Sequence, residues 1–239
     1  MQSSNESLAK CGAMGQGAHQ VGRWPTWHLA AGLADVDIEK GTMPSSAYRK
    51  LLEAFHLMEV FPQPGDVCVD LGACPGGWTA AMMRYGAKVV AVDRSPVEKR
   101  LTKDGQCVFV SGDAFAFDPF ATGSGGAFVD WPEWPREDGG RPAQLDFMVS
   151  DVIAFPERVP ELLSTWCGNA WAKTMVVTMK FKEGPDYEQL ANARKVAAEC
   201  GYSIRVKHFF NNKNEVTLML RRQADVEGGS ASAGGTQAE

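Results

Sequence analysis

Between Val69 and Thr79 the chain reads VDLGACPGGWT. An apolar run ending in Gly72, Gly76 and Gly77 is the pattern of a strand turning sharply into a helix. Glycine bends the backbone freely and leaves room for a ligand against the main chain. Free N–H groups at the start of that helix favour a carboxylate or a phosphate. Three further apolar runs end in acids: VVAVD at Asp93, VSGD at Asp113 and VSD at Asp151. Asp93 is placed to accept both ribose hydroxyls of an adenosine, and Asp113 to reach the adenine amino group. An acid about 20 residues past the glycines also suits a dinucleotide. Against that, the spacing is not G-x-G-x-x-G, and Pro75 removes one N–H from the cradle. A turn with no ligand is the bland alternative, and so many glycines beside three strand-end acids argue against it.

The elements that must position these residues alternate along the chain. PSSAYRKLLEAFHLM has helical spacing, with a helix expected from near Ser45 and serine as its cap. PQPGD breaks the chain and DVCVDLGA reads as a buried strand. There follow a helix (GWTAAMMRYG), a strand (AKVVAVD), a short helical piece (PVEKRLTKD) and a strand (CVFVSGD). Residues 118–143, rich in Gly and Pro, form a loop inserted before the strand QLDFMVSD. ERVPELLSTWCGNAWA is a helix, TMVVTMK a strand and DYEQLANARKVAAECG a helix; IRVKHFF and EVTLMLRR close the domain as an antiparallel pair. The expected fold is α/β and doubly wound, with a mostly parallel sheet and an antiparallel last strand. In such sheets ligands bind outside the carboxyl ends of the strands, where the glycine turn and the acids lie.

The 239 residues, 44% of them hydrophobic, suit one domain with tails. Residues 1–40 are an extension that packs in part through GRWPTWHLAAGL; 41–222 are the domain; 223–239 are a Gly/Ser/Ala tail that cannot bury a core and is expected to be disordered. No apolar run approaches the roughly 20 residues needed to span a bilayer, and no secretory h-region precedes the domain. The six cysteines contain no C-x-x-C pair, which speaks for reduced thiols in a cytoplasm and against a disulfide framework or zinc ribbon. No metal site is expected. The formal charge of -5 does not mark a nucleic-acid binder, so a polyanion must meet a local basic patch.

VDLGACPGGWT followed by VVAVDRSP and VSGDAFAF resembles the FtsJ-like family of RNA ribose 2'-O-methyltransferases, over about Pro44 to Arg222. It is most similar to the catalytic half of the RlmM-type large-subunit ribosomal RNA enzymes. The resemblance implies a Rossmann-like class I fold and S-adenosyl-L-methionine, not a dinucleotide, at the glycine turn. Cofactor contacts carried over are Ser45, Cys74, Pro75, Gly76, Gly77, Trp78, Asp93, Asp113 and Asp151. A catalytic Lys-Asp-Lys-Glu tetrad carries over to Lys50, Asp151, Lys180 and Glu215. Arg49 is the neighbour that competes with Lys50, and Lys182 the other register for Lys180.

Such a set suits the chemistry, because a ribose hydroxyl is a poor acid and needs a base. Lys180 as that base must be neutral, so its pKa of about 10.4 is expected to fall toward about 7 to 8. Lys50 is expected to steer the hydroxyl, with Asp151 and Glu215 orienting the base. Candidate RNA-binding cations are Arg49, Arg94, Lys99, Arg100, Lys182, Arg205, Lys207, Lys213, Arg221 and Arg222. Trp131 and Trp134, among four acids, fit a surface lid or a contact with another protein better than base stacking. The RlmM-type enzymes carry an RNA-binding region before the catalytic domain, against only about 40 residues here. Target choice is then expected to rest on the substrate's shape or on a partner protein. Competing readings are a tRNA or messenger-cap methyltransferase, a non-catalytic RNA-binding or ribosome-assembly factor, and a nicotinamide dehydrogenase.

Overall fold

A computed structural model of the chain describes residues 42–121 and 144–223. The expectations for residues 1–40, for Trp131 and Trp134, and for most of the insertion and tail lie outside the described residues.

Seven strands form one sheet: β1 (Val67–Leu71), β2 (Lys88–Asp93), β3 (Cys107–Ser111), β4 (Leu145–Ser150), β5 (Ala172–Lys180), β6 (Tyr202–Lys207) and β7 (Glu215–Arg222). Their order is β3-β2-β1-β4-β5-β7-β6. β1 to β5 run parallel, while β7 lies antiparallel to both β5 and β6. The expected parallel sheet with a closing antiparallel pair is what forms. The chain reverses direction across the sheet at β1 and β4, where the order switches, and this is where an open α/β sheet presents a crevice.

Four helices cover both faces: α1 (Tyr48–Met58), α2 (Gly77–Arg84), α3 (Arg158–Gly168) and α4 (Tyr187–Glu199), with a 3-10 turn at Lys99–Thr102. Side chains alternate between the faces of a strand. Thus Val69, Leu71, Met175, Val177, Leu218 and Leu220 pack with Leu163, Trp166 and Ala197 of α3 and α4. Their strand neighbours Cys68, Val176 and Met219 pack with Leu51, Phe55 and Met82 of α1 and α2. The same alternation sends Thr178 and Lys180 of β5, and Glu215 and Thr217 of β7, to the α1 face.

α1 starts later than the sequence suggests and has no side-chain cap; its N-cap is Ala47. Ser45 instead sets its Oγ against Gly77, in the space where a Cβ there would stand. α4 does use its expected polar start, with the Asp186 carboxylate accepting from the Gln189 N–H.

Trp166 is 1% exposed on the face away from α1, and its ring meets Trp171 edge-on. Trp166→Ala is expected to lower unfolding free energy by about 3–5 kcal/mol, read from the urea midpoint at unchanged slope.

Candidate active site

A cleft of about 710 Å³ opens at the carboxyl ends of β1, β2, β4 and β5. Ser45, Ala47 and Lys50 enter it from the start of α1. β1, the turn after it and the start of α2 contribute Asp70, Gly72, Cys74, Pro75, Gly77 and Trp78. Asp93, Asp151, Lys180 and Glu215 complete it from the strand ends.

At one side two lysines and two carboxylates close a ring. Lys50 Nζ donates to both oxygens of Asp151 at 2.8 Å and to Glu215 Oε1 at 2.8 Å. Lys180 Nζ donates to Asp151 Oδ1 at 2.5 Å and to Glu215 Oε2 at 2.8 Å. Each ammonium is shared by two carboxylates and each carboxylate by two ammoniums, so the ring is neutral. Its parts come from four elements. Lys180 and Glu215 are direct partners in the β5–β7 register, on the face that α1 covers. Asp151 follows the last residue of β4, the strand beside β5, and Lys50 projects from α1.

Burial of Lys50 and Glu215, 6% exposed each, makes this pairing obligatory, because an isolated buried charge costs several kcal/mol. Burial alone would raise the Glu215 pKa, but hydrogen bonds from Lys180 and Lys50 override it and hold the carboxyl at about 2. For Lys180 burial favours the neutral form, yet the charges and hydrogen bonds of Asp151 and Glu215 outweigh it and raise the pKa. The expected fall toward neutrality is therefore reversed: in the ring Lys180 is an ammonium.

Three residues absent from the sequence reading support the ring. Thr178 Oγ1 donates to Asp151 Oδ1 at 2.8 Å; its signal was a threonine two positions before Lys180, on the same strand face. Asn212 Nδ2 reaches Glu215 Oε1 at 3.3 Å and Thr217 Oγ1 at 3.2 Å. Glu53, one helical turn beyond Lys50, accepts the N–H of Phe210 at 3.1 Å and of Asn211 at 3.3 Å. It therefore ties the β6–β7 connection to α1.

At the other side of the cleft Asp93 accepts the Cys74 N–H on Oδ2 at 3.0 Å and the Ser95 N–H on Oδ1 at 2.8 Å. Each oxygen retains a lone pair for a hydroxyl. Trp78 is buried and donates Nε1–H to the Ala47 carbonyl at 2.8 Å, so its indole fixes the entry to α1. Gly72 lines the cleft at φ +79°, and a Cβ there would lie 2.9 Å from the Val152 backbone.

Two expected cofactor contacts fall outside the cleft lining. Gly76, at φ +112°, is turned toward the 3-10 segment, where a Cβ would stand 2.3 Å from Leu101 Cδ1. Asp113 lies outside the lining. Its carboxylate turns back to the Phe115 N–H at 2.9 Å and pairs with Arg94 at 2.6 Å, and these bonds lower its pKa.

Asp70 was overlooked because it stands inside an apolar strand. It is 1% exposed and accepts from Thr79 Oγ1 at 2.6 Å and from the Thr79 backbone, capping the first turn of α2. Burial pushes its pKa up to about 7. A raised carboxyl pKa contributes stability that is full below the unfolded value of 3.8 and is lost as pH rises through about 7. Asp70→Asn is expected to remove a loss of about 4 kcal/mol across that window. Tm compared at pH 5 and pH 8 checks it: the wild type falls more than the variant.

Several candidate cations are already engaged. Arg100 pairs with Glu98 at 2.6 Å, and Arg205 donates Nη1–H to the Leu57 carbonyl at 3.0 Å. Lys213 lines the cleft. Lys182, the other register for the tetrad, lies outside the ring, with Nζ 4.0 Å from the centre of the Phe155 ring. No group of His, Cys, Asp and Glu suited to a metal occurs among the described residues, and no described helix is long and apolar enough to cross a membrane.

A solved structure described as a hemolysin from Lactococcus lactis shares the fold, with a TM-score of 0.54 at 20% identity. It covers 77% of this chain and 90% of its own. One so described from Streptococcus thermophilus gives 0.55 at 19% identity, over 77% and 68%. The chain is also similar to the ribosomal RNA large subunit methyltransferase M of Shewanella pealeana, 33% identical over 190 residues. That of Shewanella woodyi is 32% identical over 190 residues. Both alignments cover 74% of this chain and 47% of the relative, so the chain spans about half the length of the curated relatives it matches. The FtsJ-like methyltransferase family matches residues 43–219, a span that takes in the glycine turn, the strand-end acids and the whole charged ring, and the chain belongs to that family.

Proposed function

We propose that this chain methylates ribose 2'-hydroxyls of RNA, with large-subunit ribosomal RNA as substrate and S-adenosyl-L-methionine as methyl donor. The observation that carries the reading is the neutral ring of Lys50, Asp151, Lys180 and Glu215 at the edge of the cleft. Membership of a methyltransferase family and the names of the relatives support the reaction and the RNA class. The donor set fits the cofactor: Asp93 has oxygens to spare for ribose hydroxyls, and the carboxylate of Asp151 suits a cationic group. Ser45, the turn from Cys74 to Trp78, Asp93 and Asp151 would hold it, with Asp70 behind them. Gly76 and Asp113 would act through the shape of the turn and of the Arg94 loop.

The cofactor supplies a methyl group on a sulfonium sulfur that leaves as a neutral thioether. The ribose oxygen forms the new bond to carbon, and its proton passes to Lys180 Nζ. Lys50 and Asp151 fix the hydroxyl in line, and alignment of this kind is worth several kcal/mol. Glu215 holds Lys180 in place and stabilises its protonated product. Because the ring favours the ammonium, Lys180 acts from its minor neutral form. The reading places the reaction in the cytoplasm. It also includes a protein partner that helps to choose the target.

Two outcomes are expected when labelled S-adenosylmethionine is offered with naked large-subunit RNA, intact subunits, tRNA and capped RNA. Label enters large-subunit RNA and renders one phosphodiester bond resistant to alkali, and Lys180→Ala lowers the single-turnover rate by roughly 10²–10⁴-fold. Label in tRNA or cap RNA instead would move the target, and no label with cofactor bound would favour a non-catalytic factor. In the wild type, log rate is expected to climb with pH from 6.5 to 9 without a plateau, since the folded Lys180 pKa lies above the ordinary value. A flat profile would remove Lys180 from the base role.

A further inference from the structure

Among the described residues the exposed large apolar side chains are Ile153, Phe155, Tyr187 and Phe210, at 90%, 52%, 75% and 67%. Three of the four border the cleft. Ile153 lines it, and Phe155 follows two residues later on the same segment. Phe210 precedes Asn211, which also lines it. Lysines lie in the same rim: Lys182 Nζ stands 4.0 Å from the centre of the Phe155 ring, and Lys213, three residues after Phe210 in the chain, lines the cleft. The Phe210 segment is also held. The Glu53 carboxylate takes the N–H groups of Phe210 and Asn211, so this side of the rim is fixed to the helix that carries Lys50.

We infer that this rim, with Phe155 and Lys182 on one side and Phe210 and Lys213 on the other, clamps unpaired nucleotides flanking the ribose that enters the cleft. The inference deepens the proposed function and rests on it. Exposed flat rings and ammonium groups in one rim match a ligand with both an aromatic face and a phosphate. Nucleotides in single-stranded RNA offer both, whereas a duplex hides its base faces in the stack. Cation and ring are also separable partners: when a base covers Phe155, Lys182 is released to a phosphate. The rim therefore selects loops, bulges and ends over helices without reading sequence.

Fluorescence anisotropy of the full chain with a labelled 10-nucleotide single strand, and with the duplex of the same sequence, tests this. The single strand is expected to bind the wild type more tightly than the duplex. Phe155→Ala with Phe210→Ala is expected to weaken the single strand at least tenfold and leave the duplex unchanged. Binding of S-adenosylhomocysteine, measured by calorimetry on the same variant, stays the same and shows that fold and cleft are intact. Phe155→Trp with Phe210→Trp retains the affinity, and its emission is quenched by the strand. Lys182→Gln and Lys213→Gln each flatten the salt dependence of log K by roughly 0.7. Equal affinity of wild type and alanine variant for the strand overturns the inference. So does a wild type that binds no strand, an outcome that would make the rim a protein-docking surface. Methyl transfer by the wild type, assayed in parallel, reports on the proposed function separately.

Discussion

Four ionised groups brought together at the edge of a sheet, two of them almost fully out of water, persist only if each finds opposite charge on more than one side. In this chain the solution is the ring Lys50–Asp151–Lys180–Glu215, in which every hydrogen bond joins an ammonium to a carboxylate. Most features of the surroundings serve that constraint. The β5–β7 register sets Lys180 opposite Glu215. The packing of Leu51, Phe55 and Trp78 seats α1 so that Lys50 points inward. Thr178 and Asn212 supply the remaining donors. Removing one member would leave a buried charge unpaired, so the same geometry that orders the site also makes its members interdependent.

The ring also decides what the lysines are. A carboxylate on each side keeps Lys180 charged, which preserves the structure and opposes its use as a base. On the proposed function, structure and reaction pull in opposite directions at one nitrogen atom. The site would then work by holding oxygen and methyl in line while tolerating a small neutral fraction of lysine. Asp70 shows the complementary case, a carboxyl whose burial raises its pKa to about 7. Its carboxyl closes the first turn of α2, and the nearby Asp151 charge adds to the rise.

The sheet was legible because strand and helix periods alternate cleanly, and the face of each strand followed from period two. Resemblance singles out Lys50, Asp151, Lys180 and Glu215, and their meeting in one ring follows from register: β5 and β7 antiparallel, with β4 beside them. What the sequence leaves hidden has local causes. It shows Asp113 at a strand end but not that its carboxylate turns onto the Phe115 N–H and pairs with Arg94. Ser45 was read as a cap because sequence shows its type and place but not the bare Gly77 across the fold. Sequence shows the bare α-carbon of Gly76 but not that Leu101 packs where its Cβ would stand. The direction of the Lys180 pKa balances burial against two carboxylates, and no spacing rule weighs those terms. Glu53 and Asn212 act through a loop contact that joins residues more than 150 positions apart in one case and three in the other.

The central claim is that the four charged residues work as one unit in methyl transfer. A double-mutant cycle on the single-turnover rate, using Lys50→Met, Glu215→Gln and the double variant at saturating cofactor, tests it most directly. Groups that act as a unit are grossly non-additive, so the double variant is expected to be about as slow as the slower single one. Rate losses that multiply, with folding and cofactor affinity intact in all three, would show two residues acting separately and would contradict the account.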